Sequence, residues 1–104
     1  METIGIVLDP GKMSNPDLDI RYDLPERIEE FTDGKVKESC YDYLPDQRMI
    51  IWLDAEDSAK NVGDVIQLIS SEKILDNDLT EAVEIYISSI EQAELEQCTK
   101  VFPV

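Results

Sequence analysis

"MIIWLDAED", residues 49–57, runs five apolar residues into three carboxylates within four positions. Two physical readings compete for it. A buried strand ending in acids forms the floor of a metal or phosphoryl-transfer site when a second strand brings carboxylates to the same edge. Otherwise it is a core strand running out into an acidic surface, with the acids capping whatever follows. The rest of the chain decides between them.

Upstream, residues 35–44, KVKESCYDYL, read as a half-exposed strand, and Pro45-Asp46 as a turn, so this segment and 48–53, RMIIWL, form a hairpin. Downstream, Asp57 or a neighbouring acid caps a helix over about 58–72, with Ala59, Val62, Val65, Ile66 and Ile69 on its apolar face. Gly63 inside it costs about 1 kcal/mol against alanine and reads as close packing on a sheet. At the start of the chain, TIGIVL at 3–8 is a strand ended by Asp9-Pro10-Gly11. Asn15-Pro16 then fits a helix start, and Ile20, Leu24, Ile28 and Phe31 share one helical face. Pro25 either kinks this helix or marks a second start capped by Asp23, and Asp33-Gly34 stops it. Leu75 to Thr80 read as a polar loop. Residues 82–88, AVEIYIS, alternate as a one-sided strand, and Ala93 to Phe102 leave room for a short edge strand.

The order is β-α-β-β-α-β, which predicts one α+β domain over residues 1–104. The expected fold is the ferredoxin-like split arrangement, an antiparallel sheet with two helices on one face and an added C-terminal edge strand. Its usual strand order places the first and third strands at the centre. These are IGIVL and MIIWL, the two most continuously apolar runs. As antiparallel neighbours they send Asp9 and Asp54 to opposite ends. The acids of 54–57 are therefore expected to form a loop and helix cap, where negative charge complements the helix dipole. A metal-dependent hydrolase using Asp9, Asp54 or Asp57 is the third-ranked reading.

Other chemistry is thin. The chain has no histidine, which removes Ser-His-Asp and Cys-His schemes. Cys40 and Cys98 are too few for a disulfide framework and, without histidine, do not suggest zinc. Gly11-Lys12 lacks the second glycine and the Ser/Thr of a phosphate loop. No catalytic residue, metal or cofactor is expected. No basic leader and no apolar run of membrane-spanning length occur, so a cytoplasmic protein is expected.

Charge is the loudest signal: 24 acidic against 9 basic residues, a net −15. Such a chain repels nucleic acid and anionic membranes and is drawn to basic partners. From Ile74 through Thr99 there is no lysine or arginine, but there are seven acids. If Met49, Ile51 and Leu53 face the helices, Ile50 and Trp52 face away, with Glu84 and Tyr86 beside them. The second strand adds either Tyr41 and Tyr43 or Cys40 and Asp42, according to its register. The expected contact residues are Asp42, Tyr43, Trp52, Glu84, Tyr86, Glu94 and Glu96, aromatic anchors ringed by carboxylates. The alternative is that a second copy or the C-terminal segment covers this face.

The segment DIRYDLPERIEEFTDGKVKESCYDY, with MIIWL and the terminal VFP, resembles immunity proteins of bacterial contact-dependent growth inhibition and related polymorphic toxin systems. The resemblance rests on an R-Y-x-L-P helix, a glycine turn and a Y-D-Y strand, and covers roughly residues 17–53 and the C-terminus. It implies a non-enzymatic inhibitor of a cognate toxin domain, often a nuclease; a basic partner, bound by a monomer, is expected. It supplies no interface residues. A small-molecule-binding or oligomerising regulatory module, including a homodimer, is the alternative.

Overall fold

In the computed structural model, which describes residues 1–103, the chain forms five strands and two α-helices. They are β1 (Glu2–Leu8), α1 (Ile20–Phe31), β2 (Val36–Tyr43), β3 (Met49–Ala55), α2 (Ser58–Ser71), β4 (Val83–Ser88) and β5 (Thr99–Phe102). The sheet order is β2-β3-β1-β4-β5, with every neighbouring pair antiparallel. This is the expected ferredoxin-like α+β arrangement, extended by β5 beside β4. The two helices lie on one face. Central β1 and β3 are apolar in nearly every position, and Ile4, Ile6, Ile51 and Leu53 are fully buried beneath the helices. Each such side chain contributes about 1.5–3 kcal/mol by leaving water.

The ends of the helices follow from local chemistry. Asp57 caps α2, its side chain accepting from the Lys60 N–H at 3.0 Å. Glu2 on β1 adds a second carboxylate there, accepting from the Ser58 N–H at 2.8 Å and its hydroxyl at 2.9 Å. Helix α1 ends where Gly34, at φ +78°, donates to the Glu29 carbonyl at 2.9 Å. That left-handed geometry suits glycine because a side chain there would crowd its own carbonyl.

Several boundaries differ from expectation. Helix α1 begins at Ile20, not at Asn15-Pro16, and runs through Pro25 as one helix. The ring of Pro25 is buried against the core, which offsets the lost N–H. Phe31, expected on the apolar face, is 42% exposed at the frayed end. In α2 the buried stripe is Val62, Val65, Leu68 and Ile69, while Ala59 is exposed. Gly63 packs on nothing: a Cβ there would meet no atom within 4 Å. Replacing Gly63 with alanine is therefore expected to stabilise the protein by about 1 kcal/mol. Thermal unfolding should report this as a melting temperature raised by about 4–8 °C.

The segment 75–80, expected as a polar loop, is instead a structural joint. Ile74 and Asn77 exchange backbone hydrogen bonds around Leu75 and Asp76, both at positive φ. Asn77 is fully buried, and its amide reaches across to Asn15. Its Oδ1 accepts from the Asn15 N–H at 2.7 Å, and its Nδ2 donates to the Asn15 carbonyl at 2.8 Å and the Leu75 carbonyl at 3.1 Å. One side chain thus ties the α2–β4 connection to the segment entering α1.

Candidate functional site: a cleft on the open sheet face

The register of β1 against β3 pairs Thr3 with Asp54 and Leu8 with Met49. Asp9 follows Leu8, so it lies at the opposite end of the sheet from Asp54. Asp54 therefore sits at the end of its strand without a partner carboxylate from Asp9, and Asp57 caps α2. Among the described residues, no three acid or thiol groups come together in a way that would hold a metal ion.

On the face turned away from the helices, Trp52 on β3 stands opposite Gly5 on β1, and Gly5 stands opposite Tyr86 on β4. The six-membered ring of the Trp52 indole packs against Gly5: a Cβ there would sit 2.8 Å from Trp52 Cζ3. The missing side chain of Gly5 is what lets the ring settle onto the sheet. Beyond it, Ile50 and Val7 are only 2% exposed although they face away from the helices.

The connection between β4 and β5 folds back over one end of this face. Thr3 holds it there: its hydroxyl donates to the Ile90 carbonyl at 2.8 Å and accepts from the Ala93 N–H at 3.2 Å. Between this connection and Trp52 is a cleft of about 470 Å3. Its walls come from β2 (Cys40, Asp42), β3 (Trp52, Asp54) and the connection (Ala93, Glu94, Leu95). The lining carries three carboxylates and no lysine or arginine, and none of Asp42, Asp54 and Glu94 has a cation within ion-pair distance. Asp42 accepts from the Tyr43 N–H at 2.8 Å. Cys40 is an exposed free thiol.

The expected contact residues divide accordingly. Asp42, Trp52 and Glu94 meet at the cleft. Glu96 is exposed on the same connection, outside the lining. Glu84 and Tyr86 share the open face but form a separate cluster. Glu84 accepts from Arg48 at 3.2 Å, Lys100 at 3.4 Å and the Tyr86 hydroxyl at 3.4 Å. Its charge is already answered within the chain. Burial, helped by the nearby Glu84 carboxylate, raises the Tyr86 phenol above its ordinary value.

Tyr43 lies on the other face of the sheet from Trp52. β2 pairs Cys40 with Trp52 and Asp42 with Ile50, so Tyr41 and Tyr43 point to the helix side. A one-residue step along a strand reverses the face, which is why Asp42 and Tyr43 cannot share one. Tyr43 instead joins an exposed cluster. Tyr22 of α1 meets Tyr41 edge-on at 6.1 Å between centroids, and Tyr41 meets Tyr43 at 6.3 Å. The Arg21 guanidinium lies 4.8 Å from the Tyr22 ring centre and 5.3 Å from that of Tyr41, with its Nε buried against them and unpaired. Beside that guanidinium the Tyr22 phenol falls below its ordinary value, and Tyr22 in turn raises that of Tyr41. The R-Y pair and the Y-D-Y strand, twenty residues apart in the chain, thus meet in space.

The cation-free run 74–99 is also divided by the fold. Asp76, Asp78 and Glu81 precede β4 and Glu91, Glu94 and Glu96 follow it, so they occupy opposite ends of a strand about 20 Å long. Thr3 and Leu95 were not foreseen as part of the site. No sequence pattern marks them, because the fold-back of residues 89–98 creates their role.

The architecture is a ferredoxin-like α+β domain with an extra edge strand and a roofed cleft on its open sheet face. Comparison with protein families, characterised proteins and solved structures finds no match for this chain. No helix among the described residues is long and apolar enough to cross a membrane.

Proposed function

We propose that this protein is a toxin-neutralising immunity protein that captures a basic, nuclease-type partner domain and blocks it, with no bond chemistry of its own. The observation that carries the reading is the cleft around Trp52. It combines a half-buried aromatic surface with three uncompensated carboxylates, in a chain where, among the described residues, only four of the 24 acids have a cation at ion-pair distance. Exposed acids accelerate encounter with a basic surface, and a desolvated aromatic anchor slows release. The resemblance of residues 17–53 to immunity proteins supplies the biological setting.

The test is binding to the protein encoded by the adjacent reading frame, followed over a salt series, together with rescue of growth on co-expression. Dissociation constants in the nanomolar range or below are expected, with an association rate falling at least about tenfold between low and high salt. Weak, salt-independent binding without rescue would overturn the reading.

The alternative is a small-molecule-binding regulatory module with its ligand seated in the same cleft. In that case a regulatory ligand would raise the melting temperature, and substitutions in the cleft would abolish the shift.

A further inference from the structure

We infer that the Trp52 cleft is built to seat a single arginine side chain presented by the partner, an inference that rests on the protein-capture reading above. Every wall of the cleft contributes to the same chemistry. The Trp52 indole, whose six-membered ring packs against Gly5, lines the floor. Asp42 stands on one side, from β2, and Glu94 on the other, from the fold-back connection. Leu95 adds an apolar wall. Lys37, the cross-strand neighbour of Asp54, lies outside the lining and makes no ion pair with it, so no internal cation occupies the space.

A guanidinium fits this set better than an ammonium. It is planar, so it stacks on the indole while its rim of N–H donors reaches carboxylates on both sides. It is also more weakly hydrated, so entering a half-enclosed cleft costs less. A neutral planar group would find the same ring but nothing to neutralise the carboxylates. The position of the roof matters, because Glu94 reaches the cleft only while Thr3 holds residues 90–93 down.

The chain has one tryptophan, so its indole N–H gives a single resonance to follow. Three probes are titrated into the 15N-labelled full chain at low salt: N-acetyl-arginine amide, its citrulline counterpart and a decalysine peptide. The arginine probe is expected to shift the Trp52 indole and the Ala93 and Leu95 amides saturably, and the citrulline probe to leave them in place. Asp42→Asn combined with Glu94→Gln is expected to weaken the arginine response at least about tenfold while the amide spectrum stays folded. Shifts centred elsewhere, equal shifts from citrulline, or a response untouched by the double substitution would each overturn the arginine seat. If decalysine still binds in a salt-sensitive manner, the capture reading survives that failure. If no cationic probe binds at low salt, both fall together.

Discussion

Asn77→Ala is expected to destabilise the protein by about 2–4 kcal/mol. The amide of Asn77 imitates a strand partner. It gives and takes one hydrogen bond with the backbone of Asn15 and gives another to the Leu75 carbonyl, all from a fully buried position. Alanine removes all three bonds and leaves the part-buried Asn15 N–H and carbonyl without their partner, while the Leu75 carbonyl keeps only its bond from Asn15 Nδ2. It also releases the turn in which Leu75 and Asp76 hold positive φ, a conformation that costs energy without such support. Denaturant unfolding should show a lower midpoint with an unchanged slope. Asn77→Asp should cost more than alanine, because a carboxylate oxygen would then face the Asn15 and Leu75 carbonyls. Asn15→Ala is the control: its side chain makes one exposed bond, to the Leu75 carbonyl at 3.1 Å, and should cost less than about 1 kcal/mol. An Asn77→Ala variant as stable as the Asn15→Ala variant would show that the joint carries no special load.

Thr3→Val should cost about 1–3 kcal/mol and loosen the roof of the cleft. Valine keeps the shape of threonine on a central strand, so packing is preserved and the hydroxyl alone is lost. Two backbone groups then lose their partner, the Ile90 carbonyl and the Ala93 N–H, the latter in a buried bond. The connection can recover water for them only by lifting away from the sheet. The cost therefore appears partly as lost stability and partly as motion. Hydrogen exchange at the Ala93 amide should accelerate by at least about tenfold, since the opening free energy falls by the same order. Serine at this position retains the hydroxyl and should retain the protection. Ala93 protection left intact by valine would mean that packing of Leu95, not Thr3, holds the connection down. Loss of the roof would also carry Glu94 away from Trp52, so partner affinity and local exchange should change together.

Much of the fold was legible because it is written in local patterns. Two strand-like apolar runs, a hairpin turn at Pro45-Asp46 and two amphipathic stretches in a fixed order leave few topologies. Helical spacing was less informative about which face is buried. In α2 the buried stripe includes Leu68 and excludes Ala59, because what packs against each turn, not the period alone, decides what is covered. Gly63 differs from expectation for the same reason: glycine within a helix implies close approach only if that face meets something, and this one meets solvent.

The sequence alone determined the antiparallel adjacency of β1 and β3, and with it the separation of Asp9 from Asp54 and the structural reading of MIIWLDAED. Chain order and crossover geometry suffice for that. Three matters were left to the tertiary structure. The register of β2 put Asp42 beside the tryptophan and Tyr43 behind the sheet, since a shift of one residue reverses a strand's faces without changing its composition. The fold-back of residues 89–98 onto Thr3 made a cleft from what read as a loop and an edge strand. The buried amide of Asn77 found a partner 62 residues away. Each depends on contacts between segments distant in the chain, and no local pattern of residue types encodes which distant segment will arrive.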